Sequence, residues 1–256
     1  MAQVIRSLSS RPSVSFQTLS DLHLEVNQQY LTFEVPVASK YLLLAGDIGL
    51  LLILGNHEFY GGSFESVLET ARCLEREPCL NGRLILLHKR RYDIPDSNVT
   101  VLGCTLWSHI PESSKDIVHC KIQGFQKIED WTVDKHNAAH QSNWSWLRDE
   151  IQSIQNQHKA SPSKDSKRSI LIATHHAPSM HRTSSPGHAQ NPWSAAFGTD
   201  LLSQPWNGVR TWEFGHTHYS TEFKEGGIRI VSNQRGYVLP WTDEPKGFDA
   251  KKVIWL

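Results

Sequence analysis

The stretch that decides the fold lies at residues 51–58 and reads LLILGNHE. The apolar run Leu51–Leu54 passes directly into Gly55, and three polar residues follow at positions 56–58. A short apolar run that ends at a glycine is typical of a buried β-strand. The glycine lets the backbone turn sharply and come close to its neighbours, because it carries no Cβ. We therefore interpret this stretch as a buried strand that presents polar side chains at its end.

The same arrangement occurs at four further positions along the chain. An apolar run ends each time at polar side chains, in the segments Asp21-Leu22-His23, Gly46-Asp47, His175-His176 and Gly215-His216-Thr217-His218. Side chains presented from strand ends can converge at one edge of a sheet, where a rigid scaffold holds them in place. One such segment alone is a weak signal, whereas all five after apolar runs are a strong one. The sequence therefore predicts a functional site at the edge of a sheet.

Further apolar runs and two amphipathic patterns predict an α/β fold in a single domain over residues 1–256. Besides Leu51–Leu54, the predicted strands are Val14–Leu19, Tyr41–Ala45, Arg83–Leu87, Val99–Leu106, Ser169–Thr174, Val209–Phe214 and Ile228–Ser232. Helical spacing of apolar residues predicts helices over Phe64–Leu74 and Val133–His158. The apolar stripe of the second helix is interpreted as core packing and consists of Trp144, Leu147, Ile151 and Ile154. We expect the long loop Ser179–Pro192 to be functional or mobile.

The composition argues against several classes of function. The chain has 256 residues and a formal net charge of zero. A neutral balance argues against a nucleic-acid partner, because affinity for the phosphate backbone comes from clustered Lys and Arg. The apolar segment Tyr41–Leu54 is shorter than the ~20 residues of a membrane-spanning helix, so no membrane partner is predicted. The four cysteines form no CxxC pair and are interpreted as reduced, partly buried thiols.

The cytoplasm is the predicted location. Residues 1–15 contain Arg6 and Arg11 but no apolar segment of the kind that a signal peptide requires. The same stretch contains Ser and Arg and lacks acidic residues, so a mitochondrial presequence is the alternative. The sequence indicates no oligomeric state.

The five strand-end segments share one chemistry. They offer carboxylate oxygen, amide oxygen and imidazole nitrogen, and no thiolate. This mixed set suits two metal ions of the Mn, Fe or Zn kind and argues against Cu(I) or an iron–sulfur cluster. Two such ions can clamp both the attacking and the leaving oxygen of a phosphoryl group. The pattern therefore indicates the hydrolysis of a phosphomonoester or phosphodiester.

The order of these segments resembles the calcineurin-like metallophosphoesterase superfamily, and in particular its small fungal and bacterial members. The likeness extends over about residues 16–240 and includes the stretches Thr174–Pro178 and Ser232–Tyr237. It implies a two-sheet mixed β-sandwich flanked by α-helices, with two divalent or trivalent metal ions at the strand ends. A small phosphorylated molecule is the substrate that the resemblance implies.

The resemblance also implies a role for each ligand. Asp21, His23 and His218 would hold the first metal ion. Asn56, His175 and His216 would hold the second, and Asp47 would bridge the two. We choose His175 over His176 as the ligand because His175 directly follows the predicted strand Ser169–Thr174.

Further residues are assigned around these ligands. His57 would stand beside the leaving oxygen and donate a proton or stabilise charge there. Glu58 could orient His57, and His176 is either a residue that faces the substrate, a support for a ligand, or merely structural. His136 and His140 share a helix face. They could line a substrate cleft, although a solvated polar face is the preferred interpretation.

The segment between Asp47 and Asn56 departs from the superfamily, because it has only eight residues. Family members have parallel strands here with a helix between them, and a parallel return takes a dozen or more residues. A strand over Leu51–Gly55 would rise about 17 Å, whereas four Cα steps span at most ~14 Å. We therefore expect that the crossover helix and one strand are missing.

Three explanations for this short segment remain open. The preferred one is a splice form or gene model that lacks an exon. Alternatively, an irregular segment still delivers Asn56 and His57 to the metals, or the chain folds poorly. The functional prediction is accordingly an active phosphoesterase, with a non-catalytic variant of such an enzyme as the alternative.

Overall fold

Two mixed β-sheets form the centre of the structure, a computed structural model that describes residues 13–45, 51–160, 167–239 and 247–256. The strands of these residues are β1 (Ser15–Ser20), β2 (Tyr41–Ala45), β3 (Leu51–Ile53), β4 (Ile85–Leu86), β5 (Arg90–Asp93), β6 (Val99–Cys104), β7 (Ser169–Thr174), β8 (Val209–Glu213), β9 (Thr221–Glu225), β10 (Ile228–Ser232) and β11 (Val253–Trp255). One sheet has the order β11-β1-β2-β3-β4, and the other has the order β5-β6-β7-β8-β10-β9. The predicted α/β class with two mixed sheets is confirmed.

Strands β6 and β7 are buried on both faces, which explains their mostly apolar sequences. Because side chains alternate along a strand, Val99 and Val101 of β6 pack against the other sheet, beside Leu43. Leu102 and its alternate neighbours lie on the opposite face and pack against Leu147. The sheets therefore enclose one core, and a second core lies between the β6–β7 face and a helix.

Helices pack beside both sheets, the first of the four described helices against β4 and the last against β6. They are α1 (Phe64–Glu75), α2 (Lys115–Lys121), α3 (Gly124–Lys127) and α4 (Val133–Ala160). Helix α1 begins at Ser63, which exchanges reciprocal hydrogen bonds with Ser66 in a capping box. The predicted stripe of α4 is confirmed as core packing, with Trp144 partly buried beside three buried aliphatic residues. Across the described ranges, no helix is long and apolar enough to cross a membrane.

The short return between β2 and β3 corrects one prediction. Strand β3 is present and runs parallel to β2, with Leu43 opposite Leu51 and Ala45 opposite Ile53. The chain therefore has to retreat by only two residues, about 7 Å, and six Cα steps from Ala45 to Leu51 reach up to ~21 Å. The expectation of a missing strand is wrong, because it assumed a full-length strand that starts behind the end of β2. Residues 46–50, which join the two strands, lie outside the described residues, so the absence of the crossover helix stays a prediction.

Three strands escaped the sequence analysis, and all three lie at sheet edges. Strands β5 and β9 are rich in charged residues and lack an apolar run, while β11 has only three residues. Edge strands keep one side exposed to solvent and are commonly charged.

The cysteine interpretation holds only in part: all four thiols are free, but Cys104 is buried and the other three are exposed.

Candidate metal centre

The predicted ligands lie at the carboxyl ends of four strands. Asp21 directly follows β1, and His175 directly follows β7. Asn56 lies three residues beyond β3, and His216 lies three residues beyond β8. All four side chains are buried. The two sheets thus present polar groups at one end of the sandwich.

The first donor group consists of Asp21, His23 and His218. Each offers one ligand atom, and the three atoms all lie within 4.8 Å of one another. His23 Nε2 is 2.9 Å from His218 Nε2, and His218 Nε2 is 3.6 Å from Asp21 Oδ1. These are the residues that the resemblance assigned to the first metal ion.

The second donor group consists of Asn56, His175 and His216. His175 Nε2 is 2.9 Å from Asn56 Oδ1 and 3.1 Å from His216 Nδ1. The backbone N–H of His216 donates to the carboxylate of Asp21 at 3.0 and 3.1 Å. The second group therefore adjoins the first, and it contains the residues that were assigned to the second ion.

The protonation of these groups suits metal binding. Burial, together with neighbouring histidines, lowers the pKa of His216 well below its ordinary value. Burial also opposes ionisation of Asp21, but His175, His218 and His23 outweigh it and lower the pKa of that carboxyl group. Neutral imidazoles and a carboxylate are the forms that bind cations.

Glu25 favours a tautomer of His23 that suits metal binding. His23 Nδ1 lies 2.9 Å from Glu25 Oε1, so a proton on Nδ1 leaves a lone pair on Nε2 that faces His218. Such a carboxylate partner on the far ring nitrogen is usual for a metal-binding histidine. The residues present fit a pair of metal cations.

The backbone at the site is held in an uncommon conformation. Four predicted ligands have positive φ angles, namely Asp21 (50°), His23 (46°), His216 (72°) and His218 (50°). Non-glycine residues adopt this left-handed region at a cost of ~1–3 kcal/mol each. Such strain persists only where surrounding structure imposes it, and it is frequent at functional sites.

The segment Ser232–Tyr237 imposes part of this conformation. Gly236 N donates to Asp21 O at 2.9 Å, and Arg235 N donates to Ser20 O at 3.0 Å. The Arg235 guanidinium donates to Leu22 O at 3.0 Å. The side chain of Gln234 accepts from the backbone N–H of His218. The segment entered the sequence analysis only as part of the resemblance, and its role as a clamp on both ligand loops was missed.

His57 is surrounded by residues that the sequence analysis did not assign. Its Nε2 lies 3.2 Å from the hydroxyl of Tyr237, and its Nδ1 lies 3.8 Å from Glu25 Oε1. Its ring stacks on Tyr60 at 4.5 Å between centroids. Burial first, and then His23 and His175, lower the pKa of His57 to about 4. Glu25 stands two residues after the predicted ligand His23. This position is the one signal in the sequence by which Glu25 could have been assigned to the site.

Gly55 and Glu58 shape the turn that carries His57. A Cβ on Gly55 would lie 2.5 Å from Cε1 of His175, so only glycine fits. Glu58 accepts a hydrogen bond from Gly55 N at 2.6 Å. The close approach expected at Gly55 is confirmed, whereas the orientation of His57 by Glu58 stays a prediction.

Three further histidines lie behind the site. His136 and His140 are buried, because their face of α4 packs against residues 106–108. The interpretation as a solvated polar face is therefore wrong, and neither lines the cavity described below. His176 is also buried, and its ring lies 4.2 Å from that of His216. It therefore packs against a predicted ligand without reaching the cavity.

A cavity of about 600 Å³ opens beside both donor groups. Asn56, His57, His216 and His218 form one part of its wall. The loop Ser179–Pro192 contributes another part, and its functional role stays a prediction. The predicted bridging ligand Asp47 lies outside the described residues.

Comparisons with known proteins support the fold. The structure is similar to that of the phosphopantetheinyl hydrolase (PptH) from Mycobacterium tuberculosis, with a TM-score of 0.62, 13% identity and coverage of 89% of this chain and 91% of that chain. The two proteins share a fold. A putative 5'-nucleotidase from Staphylococcus aureus is more distant, with a TM-score of 0.46, 12% identity and coverage of 87% and 48%.

The sequence comparisons are less informative. The chain is 28% identical to "Uncharacterized protein L509" of Acanthamoeba polyphaga mimivirus, over 86% of this chain and 90% of that protein. The alignment is 268 positions long. This chain fills about 220 of them, which is 86% of its 256 residues. The other 48 or so positions of the alignment are gaps in this chain. No family model matches the sequence.

Proposed function

We propose that this chain is a metal-dependent phosphoesterase of the calcineurin-like superfamily, and that it hydrolyses a phosphomonoester or phosphodiester with two metal ions. The observation that carries the proposal is the convergence of two donor groups of three side chains each. The adjoining cavity supports it, since a substrate can reach both groups from one side. The fold shared with a hydrolase is compatible with the proposal.

The two donor groups have distinct tasks in this proposal. The first group would hold one ion and the second group the other, and the resemblance implies that Asp47 would contribute to both. When bound, a pair of ions of the Mn, Fe or Zn kind supplies an activated water and neutralises phosphoryl charge. The carboxylate of Glu25 fixes the ring of His23 through Nδ1, so that Nε2 faces the site.

His57 acts on the leaving oxygen. It lines the cavity beside Asn56 and Tyr60, and in this proposal the alcohol portion of the substrate occupies that part of the cavity. The Tyr237 hydroxyl holds the ring through Nε2, and an N–H of the neutral imidazole or the Tyr237 O–H can donate to the leaving oxygen.

Hydrolysis of p-nitrophenyl phosphate and of its bis-ester with added Mn²⁺ tests the proposal. We expect Asp47→Asn and His216→Ala to lose activity by a factor of ~100 or more, because each removes an interaction on which positioning and charge stabilisation depend. His181→Ala is the matched control, since His181 is 70% exposed and does not line the cavity. Equal rates in all four proteins would contradict the proposal.

A non-catalytic relative of such enzymes is the second candidate. It is favoured by the short return between β2 and β3 and by the ~48 aligned positions that this chain lacks. Metal analysis of the purified protein separates the two candidates. About two ions per chain support the enzyme, whereas a metal-free protein with a low melting temperature supports the non-catalytic variant. The cytoplasmic location and the absence of nucleic-acid and membrane partners stay predictions.

A further inference from the structure

The cavity is much larger than a phosphoryl group. Pockets of ~300–1,000 Å³ enclose most of a drug-sized organic molecule, and this cavity measures about 600 Å³. The donor groups occupy only one part of its wall. The remaining space is therefore available to the alcohol portion of a phosphate ester.

The wall of the cavity has an uneven distribution of charge. Among the described residues that line it there is no Asp or Glu, and Lys121 is the single Lys or Arg. Hydroxyl groups of the loop Ser179–Pro192 and apolar side chains such as Ile122 and Phe197 form much of the rest. Such a wall carries no carboxylate of its own and offers an anionic molecule a single positive side chain.

Lys121 is free to bind an anion. Its Nζ lies 5.8 Å from the centroid of the Trp193 ring, a cation–π contact that holds the ammonium group at the wall. No carboxylate lies within ion-pair distance of Lys121 in the described part of the chain. Lys115 on the same helix differs, because it pairs with Glu112 and Asp134.

We propose that the natural substrate is an organic phosphate whose alcohol portion carries a second anionic group, and that Lys121 binds this group while the donor groups bind the reacting phosphate. This inference rests on the proposed function. An ammonium group that is held beside an aromatic ring and unpaired with acids makes a charge-assisted hydrogen bond to phosphate or carboxylate at little reorganisation cost.

Lys127 provides a matched control. Its Nζ lies 5.0 Å from the centroid of the Tyr60 ring, so it makes the same kind of cation–π contact. It is exposed, as Lys121 is, but it does not line the cavity. Replacing either lysine by glutamine removes one charge from the same face, and only Lys121→Gln removes it from the cavity.

Binding of non-hydrolysable probes tests the subsite directly. Calorimetry on the Mn²⁺-loaded full chain compares α,ω-alkane diphosphonates, from propane to octane, with the alkyl monophosphonates of equal length. We expect the best diphosphonate to bind about tenfold more tightly, which exceeds the statistical factor of about two for two equivalent ends. Lys121→Gln removes this preference, Lys127→Gln retains it, and high salt weakens it. No preference at any length, or a preference that survives Lys121→Gln, would overturn the inference.

Hydrolysis of the corresponding alkyl phosphates and alkanediol bisphosphates separates this inference from the proposed function. A KM about tenfold lower for the bisphosphate, lost in Lys121→Gln at unchanged kcat, supports both. Hydrolysis of both esters with equal KM supports the phosphoesterase and overturns the subsite. Tight, Lys121-dependent binding of diphosphonates without hydrolysis of either ester supports the subsite and contradicts the phosphoesterase.

Discussion

The two donor groups have the same chemistry but are held in place by different forces. The first group depends on hydrogen bonds, because the clamp Ser232–Tyr237 binds the backbone on either side of Asp21 and beside His218. The second depends on close packing, with Gly55 against the ring of His175 and His176 against the ring of His216. The side chain of His218 is 29% exposed, whereas every side chain of the second group is buried.

This difference suggests how a strained site can be maintained. In the first group, donors that reach the carbonyl groups of Asp21 and its two neighbours stabilise the left-handed backbone at Asp21. At His218 the backbone N–H is itself the donor, and the side chain of Gln234 accepts from it. In the second group, the available volume is the constraint, since a methyl group added at Gly55 would collide with the predicted ligand His175. We therefore expect the first group to fail when a hydrogen-bond donor is removed, and the second when an atom is added.

Arg235→Ala has the largest expected effect and is directed at the first group. The guanidinium donates to Leu22 O at 3.0 Å and to Gln29 Oε1 at 2.8 Å. Loss of these charge-assisted bonds leaves a buried carbonyl unpaired, and we expect unfolding to become easier by about 3 kcal/mol. Urea unfolding measures this change, and Arg235→Lys is expected to lie between the wild type and Ala. If Arg235→Ala is as stable as the wild type, the clamp does not hold the first donor group through this side chain.

Gly55→Ala tests the second group. Its Cβ would lie 2.5 Å from His175 Cε1, and overpacking of this kind costs about 1–3 kcal/mol. We expect a lower melting temperature and the loss of one of the two bound ions, measured by elemental analysis. Gly187→Ala is the control, because a Cβ there meets nothing within 4 Å. If both variants bind the same amount of metal, close packing does not hold the second group.

Glu213→Gln concerns the strands beneath both groups, because Glu213 of β8 accepts a hydrogen bond from Thr18 of β1 at 2.7 Å. Burial raises the pKa of Glu213 from 4.5 to about 8. A raised folded-state pKa contributes stability that is complete below pH 4.5 and is lost as the pH rises to about 8. We expect the wild type to lose about 1.4 kcal/mol per pH unit in this window from this group. Urea unfolding at several pH values in this window should show a shallower slope of unfolding free energy against pH for Glu213→Gln than for the wild type. Equal slopes would contradict the raised pKa of Glu213.

Tyr237→Phe has the smallest expected effect on stability, since Tyr237 is 46% exposed. The ring is kept, 4.2 Å from that of His23, and only the hydroxyl contact to His57 is lost. We expect kcat for p-nitrophenyl phosphate to fall about tenfold, with a change in unfolding free energy below ~0.5 kcal/mol. Unchanged kcat would show that the clamp contributes to structure alone.

The accuracy of the sequence-based predictions depended on how local each feature is. The bounds of β2, β7 and β10 were predicted correctly, because short, mostly apolar runs identify buried strands. Three edge strands were missed, because β5 and β9 are rich in charged residues and β11 has only three residues. His136 was assigned to a polar face, since the sequence does not reveal what packs against a helix. The return between β2 and β3 was misjudged because the register of a strand pair depends on the whole sheet.

The identity of the six described donors followed from the chain sequence, because the chemistry of a side chain and its place after an apolar run are local properties. The pairing of these donors came from the tertiary structure. His23 and His218 are 195 positions apart in the chain, and their contact depends on strand order and on the clamp that holds both loops. The same holds for Tyr237 beside His57 and for the open space around Lys121, since distances between remote segments are set when the two sheets pack together.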